Sequence, residues 1–450
     1  MRKIGMTVVI TLSLAVASPF AETAGGDAAT DVTPATTPGS HAGSTDSSPM
    51  TLAACREAAL ARNPLARERA IIERTLDLSV SLATRELFPK VGITAKATTQ
   101  SDSMDISIPP LGLSMSQDPE QYQLAAEISQ TIYDGGLSSA KKQGARAGVL
   151  VDGRKLDVDL DSLASRVDSL FFGVLFVDAQ LAQNALLVED LSVNRSRVTA
   201  MVDAGNASKS DLASVEVEIL KARQARAELE STRAALVGSL SILAGDVGQE
   251  SSFETPPRPG NLSGGVGSRG EFALFAAQEG LAESAKAASV AQAMPRLSAF
   301  AQVGYGKPAL NMLSDAADPF WVVGLRANWA LDAFYALPLN LEKADRQAEL
   351  FRLKRDAFAL SAEQDAVKAR SDVAKYARLV GDDDEIIALR GSIRRSAESK
   401  YENGTISVSD LLREIAAEHL ARQTKRLHEI QLLGAEYSLE TALGKRGKGR

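Results

Sequence analysis

Gly205-Asn206-Ala207-Ser208-Lys209-Ser210-Asp211-Leu212 returns late in the chain as Gly404-Thr405-Ile406-Ser407-Val408-Ser409-Asp410-Leu411. Laid without a gap, Gly205–Gly245 matches Gly404–Gly444 at Ser208/Ser407, Ser210/Ser409, Asp211/Asp410, Leu212/Leu411, Ala222-Arg223-Gln224/Ala421-Arg422-Gln423, Glu230/Glu429, Ser239/Ser438, Leu240/Leu439 and the closing glycines. The chain is internally duplicated. Glycine suits the left-handed residue that ends a helix, and Ser-x-x-Asp suits the capping box that starts the next. Each copy is therefore a helix, a tight turn and a second helix.

The flanks set the scale. Backwards from Gly205, the positions Leu156, Leu160, Leu163, Val167, Leu170, Val174, Val177, Leu181, Asn184, Val188, Leu191, Arg195, Val198 and Val202 alternate spacings of four and three. Forwards, Leu212, Val215, Ile219, Ala222, Arg226, Leu229, Arg233, Leu236, Leu240 and Leu243 keep that period. A sustained heptad seam predicts a coiled-coil hairpin with left-handed supercoil. Helical from about Gly136 to Gly205, the first arm would be about 100 Å long at 1.5 Å per residue.

Arg2 and Lys3, the apolar run Ile4–Val16 and the small residues Ala15, Ala17 and Ala21 read as an export signal over residues 1–21. No later segment reads as the roughly 20 apolar residues of a membrane-spanning helix. Residues 22–49, rich in Thr, Pro, Ser, Gly and Ala, are expected to be disordered. The single cysteine, Cys55, excludes a disulfide framework. Leu52-Ala53-Ala54-Cys55 mimics a lipoprotein box, but no apolar segment precedes it, and Cys55 reads as a small buried residue. A net charge of −7 disfavours nucleic acid as a partner.

From Val91 the apolar period changes from 3.6 to 2. Val91, Ile93, Ala95 and Ala97 alternate with Gly92, Thr94, Lys96 and Thr98, and Tyr122, Leu124, Ala126 and Ile128 alternate with Gln123, Ala125, Glu127 and Ser129. The charges Lys96 and Glu127 share the polar set, as a barrel lumen requires. Ser101–Glu120 between them reads as an exposed loop. The second half repeats the plan: a helix over Glu271–Ala293, then Leu297, Ala299, Ala301, Val303 and Tyr305, then Trp321, Val323, Leu325, Ala327 and Trp329, then a long helical region over Leu339–Asn403. Trp321 and Trp329 bracket the apolar face, and with Tyr122 and Tyr305 they suit an interfacial aromatic belt. Four strands cannot close a membrane barrel, which needs at least about eight. The strands must be shared between protomers.

Thr51-Leu52, Ala59-Leu60, Asn63-Pro64, Leu87-Phe88-Pro89, Tyr133-Asp134-Gly135-Gly136 and Tyr401-Glu402-Asn403-Gly404-Thr405 running into Ser409-Asp410-Leu411-Leu412 resemble the TolC-like outer-membrane efflux proteins over Thr51–Gly444. The resemblance implies a mainly α chain giving four strands to a twelve-stranded barrel of a homotrimer, above a helical periplasmic tunnel. Its partners would be outer-membrane lipid, a periplasmic adaptor and an inner-membrane transporter of an efflux or type I secretion system. The site implied is a tunnel entrance at Gly205, Asp211, Tyr401, Gly404, Thr405, Asp410 and Arg413, with Asp410 matching an inner acidic ring. The chain departs from the family at Gln130-Thr131-Ile132, where many members have Gln-Pro. It also has Arg413 where well-known members have a second aspartate.

The domains expected are the signal (1–21), the disordered segment (22–49), a first repeat (50–245), a linker (246–270), a second repeat (271–444) and a basic tail (445–450). No enzyme, cofactor or metal site is expected. His41, His419 and His428 do not share a helix face, Gly304-Tyr305-Gly306 lacks the third glycine of a dinucleotide loop, and Asp382-Asp383-Asp384-Glu385 reads as a solvated break between helices. The alternative function is a soluble periplasmic coiled-coil adaptor.

Overall fold

The computed structural model describes residues 49–445 except 103–104, 109–112, 117, 246, 261 and 312–315. The signal, all but the last residue of the disordered segment, and the tail beyond Lys445 lie outside the described residues, as does His41.

Thr51 caps α1 (Leu52–Arg62), its hydroxyl accepting the Ala54 amide at 3.2 Å. Asn63 accepts the Leu65 amide at 3.0 Å and launches the 3-10 turn Pro64–Arg67, which leads into α2 (Glu68–Arg85). Strand β1 (Lys90–Thr99) follows Pro89, and β2 (Asp105–Ile108), β3 (Leu113–Ser116) and β4 (Glu120–Tyr133) follow it. The first hairpin is α3 (Leu137–Asp203) with α4 (Lys209–Ala244). Then come α5 (Gly270–Gln292), β5 (Arg296–Lys307), β6 (Asp318–Asn328) and the second hairpin, α6 (Ala333–Glu402) with α7 (Val408–Ala442).

The main sheet is antiparallel with order β1-β4-β5-β6. Its register aligns the apolar residues of all four strands: Val91 opposes Ile128, which opposes Ala301, which opposes Val323, and Ile93-Ala126-Val303-Trp321 forms the next row. Val91, Ile93, Leu124, Ile128, Val303, Trp321, Val323 and Leu325 are all exposed on that face. The opposite face holds Glu127 and Arg326, 3.3 Å apart, with the Arg326 guanidinium 4.6 Å from the Phe300 ring centre. Two glycines make room there for aromatic rings of the neighbouring strand. A Cβ on Gly304 would meet Phe320 Cζ at 2.4 Å, and one on Gly324 would meet the Phe300 ring at 3.0 Å.

Where the helices converge below the sheet, Val167, Phe171, Val174 and Leu175 of α3 pack with Leu52, Cys55 and Ala59 of α1 and Val237 and Leu240 of α4. Cys55 is fully buried, and burial pushes its thiol pKa up. Arg56 ties α1 to α3 through Asp168 at 2.5 and 2.8 Å. The Gly- and Pro-rich linker is strapped to the helices. Phe253 stacks edge-on against Phe171 at 5.5 Å, Arg233 donates to the Ser251 carbonyl at 2.8 Å, and Tyr437 donates to the Pro257 carbonyl at 2.9 Å.

Four expectations need correction. Within Ser101–Glu120 the chain forms the β2–β3 hairpin rather than a loop throughout, with Ile106 opposite Met115. Helix α6 begins at Ala333 rather than near Leu339 and carries Pro338 inside it. It then runs unbroken through Asp382-Asp383-Asp384-Glu385, because Asp383 is buried against His428 at 2.8 Å and Asp384 meets Lys425 at 2.5 Å. Finally, α3 does contain a stretch long and apolar enough to cross a membrane by length and composition. Only 22% of that stretch is buried: Phe171, Val174 and Leu175 pack against α1 and α4, while most of its other residues are half-buried or exposed.

Candidate tunnel entrance and lipid-facing sheet

The two turns are built alike. Gly205 (φ 76) and Gly404 (φ 66) take the left-handed conformation that follows a helix end. The next residue reaches back in both, Asn206 N to Met201 O at 2.7 Å and Thr405 N to Lys400 O at 2.9 Å. Thr405 adds its hydroxyl to the same carbonyl at 2.8 Å. The following helices open with full capping boxes. Ser208 Oγ accepts the Asp211 amide at 3.2 Å while Asp211 Oδ2 accepts the Ser208 amide at 2.9 Å, and Ser407 and Asp410 repeat this at 3.2 and 3.3 Å.

The copies differ in one charge. Arg413 lies 3.3 Å from Asp410, whereas Asp211 has Ser214 at the corresponding position. Hydrogen bonds from Ser407, reinforced by Arg413, hold the Asp410 carboxyl below the usual carboxylate range. Tyr401 joins the hairpins: it is buried in one cluster with Leu191 and Val198 of α3, Val215 and Ile219 of α4, and Leu411, Leu412 and Ile415 of α7. Burial, with the Asp211 carboxylate adding to it, raises its phenol pKa.

Above the turns lies a charged node that sequence reasoning did not find. Asp190 of α3 and His419 of α7 each stand fifteen residues from their turn glycine, so they sit at one level. His419 Nε2 donates to Asp190 Oδ2 at 2.6 Å, and Arg394 of α6 donates to the same oxygen at 2.7 Å. Arg394 also reaches Glu418 at 3.2 Å and Glu398 at 3.0 Å, and Arg422 closes the set on Glu418 at 2.6 Å. Burial opposes ionisation of Asp190, but the bonds from His419 and Arg394 outweigh it and hold its pKa low. The sequence offered His419 only as a metal ligand to be dismissed. Its partner lies 229 residues away, and no local pattern announces it.

At the other end, Tyr122, Tyr305 and Trp321 are exposed on the apolar face of the sheet. Trp329 stands just past β6, where its indole N–H donates to the Ala293 carbonyl at 3.0 Å and its ring meets Phe334 edge-on at 6.0 Å. Charges on the strands' apolar face are confined to Glu120 and Lys307, at the end away from the helices. No group of His, Cys, Asp and Glu among the described residues is arranged to hold a metal ion.

Solved structures share this whole plan. The match to CusC has a TM-score of 0.70 at 15% identity, covering 87% of this chain and 92% of that one. The outer membrane protein VceC of Vibrio cholerae matches at 0.66 and 13%, covering 87% and 96%, and the MtrE outer membrane channel of Neisseria gonorrhoeae at 0.64 and 16%, covering 87% and 88%. The chain has the TolC-like channel-tunnel fold. No family model matches the sequence, and no curated protein does. The fold carries two matched hairpins and four strands in one sheet, not the single hairpin on a separate β-rich module expected of an adaptor.

The node makes a prediction about acid. Because Asp190's pKa is lower folded than unfolded, its contribution is complete above the ordinary aspartate value of about 3.9 and is lost as pH falls through the folded value. Thermal melts followed by circular dichroism should show wild type losing stability in that acid window. Asp190→Asn should be less stable at neutral pH and flatter below pH 4. Parallel wild-type and variant curves would remove Asp190 from the account.

Proposed function

We propose that this chain is one third of an outer-membrane exit duct of a Gram-negative bacterium. A homotrimer would carry substrates from an inner-membrane transporter and a periplasmic adaptor, in a tripartite efflux or type I secretion system. The observation that carries this reading is the sheet: apolar on one face, polar on the other, and without partners for the outer edges of β1 and β6 among the described residues. In lipid, every backbone amide and carbonyl needs a partner, so such a sheet is stable only when closed by other copies.

The helices support the same assembly. Leu339, Leu350, Leu353, Leu360, Val367, Ile386, Leu389 and Ile393 of α6 are exposed, and all fall within an arc of about 100° at 100° per residue. An apolar stripe this long on a free surface is an interface awaiting its other half. Ile71, Leu78 and Leu82 of α2 form an exposed stripe at the same spacing. The second copy of this chain supplies one stripe to the other.

In this reading residues 1–21 direct export, Cys55 stays unacylated inside the fold, and Tyr122, Tyr305, Trp321 and Trp329 mark the membrane interfaces. The turns at Gly205 and Gly404, with Tyr401, Thr405 and Asp211, form the tunnel entrance. Asp410 contributes a three-carboxylate ring there, partly neutralised by Arg413. No cofactor is required, since a duct supplies a path and no chemistry.

Purified protein in detergent should have the mass of three 47.6 kDa chains before signal removal. Leu353→Glu with Leu360→Glu should release monomers that keep their helix content. A wild type that is a monodisperse monomer with full β content would contradict the assembly. In planar bilayers, millimolar trivalent cation on the periplasmic side should block wild type, and Asp410→Ala should lose most of the block while Asp211→Ala keeps it. An Asp410→Ala channel blocked like wild type would reduce Asp410 to a helix cap.

A further inference from the structure

The polar face of the sheet is asymmetric in charge, and the asymmetry has a place. Alternation puts Lys90 and Lys96 of β1, Arg296 of β5 and Arg326 of β6 on that face, against Glu127 of β4 and Asp318 of β6. The face is thus four cations to two carboxylates, in a chain whose net charge is −7. The register sorts them by level. Lys96 opposes Gln123, which opposes Gly306, which opposes Asp318, so at the loop end one cation and one carboxylate share a row. At the helix end Lys90 opposes Ser129, Arg296 opposes Asn328, and Arg326 opposes Ser298. There the carboxylate is Glu127, and Arg326 already engages it at 3.3 Å. Lys90 and Arg296 are exposed and have no acidic partner among the described residues.

We propose that Lys90 and Arg296, whose rows lie four residues apart along β5, form two stacked cationic rings at the throat where the helical tunnel enters the barrel, and that these rings select for solutes carrying negative charge. The inference rests on the trimeric-duct reading, which turns the polar face into a lumen and multiplies each unpaired cation by three. Rings of basic side chains are how pores favour anions. Inside a narrow lumen with apolar walls outside it, their field is focused on whatever passes. The carboxylates at the entrance, partly neutralised by Arg413, are untouched by substitutions in the throat, so a change made there reads the throat alone. The row of Lys90 runs on through Ser129, Phe300 and Gly324, and Arg296 opposes Asn328, so both have uncharged neighbours, and Glu127, two residues along β4 from Ser129, is already engaged by Arg326.

The test is the reversal potential of purified trimers in planar bilayers across a KCl gradient. Lys90→Gln with Arg296→Gln should shift it towards cation selectivity, lowering the chloride-to-potassium permeability ratio relative to wild type. The shift should be large near 0.1 M salt, where the screening length is about 10 Å, and shrink near 1 M, where it is about 3 Å. Both residues are exposed, and mass in detergent confirms that the variant assembles. Conducting variant channels with the wild-type ratio at low salt would overturn the throat rings while leaving the duct intact. A wild type that forms no channel would overturn the duct reading and this proposal together.

Discussion

An antiparallel sheet with two open edges and one apolar face is the constraint from which the rest of this structure follows. Water can satisfy the edge amides and carbonyls of a soluble sheet, but hydrocarbon cannot. Here β1 and β6, the first and last strands of the sheet, end it on either side while their apolar rows continue outward. In the lipid environment proposed for it, the chain would therefore be incomplete by itself. The exposed stripe along α6 repeats the statement in helical form, so sheet and helices ask for the same neighbour. The glycines beside Phe300 and Phe320 leave room on the polar face for these two rings, where a Cβ would collide with them.

Duplication supplies the architecture, and divergence between the copies supplies its asymmetry. At the first junction of strand and helix, Asp134 accepts the amides of Gly136 and Ser138 at 2.9 and 2.7 Å, and the helix starts on glycine. At the second, Asp332 makes no such cap, and the helix starts among Leu331, Phe334 and Tyr335, all exposed. At the turns, the capping boxes were kept in both copies while Arg413 was placed beside only one aspartate. Between turns and sheet, the two hairpins are held together by Tyr401 in an apolar cluster and by the node around Asp190. A part-buried, interlinked set of charges fixes the register of α3, α6 and α7 more strictly than apolar contact alone, since breaking one bond strands a charge.

What the sequence made legible is what local chemistry encodes. The turn glycines, the Ser-x-x-Asp boxes and the long arms were readable because caps and heptads act within a few residues. The four strands were readable because the period changed from 3.6 to 2 and Lys96 and Glu127 fell on one face. The heptad seam held at Leu156, Val167, Val174, Leu191 and Val198, all buried, but two of its three arginines did not stay inside, Arg233 alone being largely covered. Arg195 is drawn out to Glu216 at 3.3 Å and Arg226 to Glu230 at 2.8 Å. The acidic run at Asp382 misled because its partners, His428 and Lys425, come from another helix. Pro338 lies in the second turn of α6 and is exposed, and the helix continues through it although proline removes one backbone hydrogen bond. Asp190, Arg394 and His419 were unreadable for the same reason: each is an ordinary helical residue until three helices meet.

Cys55 is the single cysteine and is buried, so cysteines introduced elsewhere report cleanly on which surfaces meet. The most direct measurement is oxidative cross-linking in outer membranes, with one cysteine scanned along β1 from Val91 to Ala97 and a second along β6 from Trp321 to Ala327. The account predicts that one register of pairs gives covalent dimers and trimers and that the ladder stops at three, as a closed ring of copies requires. A ladder that runs beyond three, or chains that stay uncross-linked at every register, would contradict it.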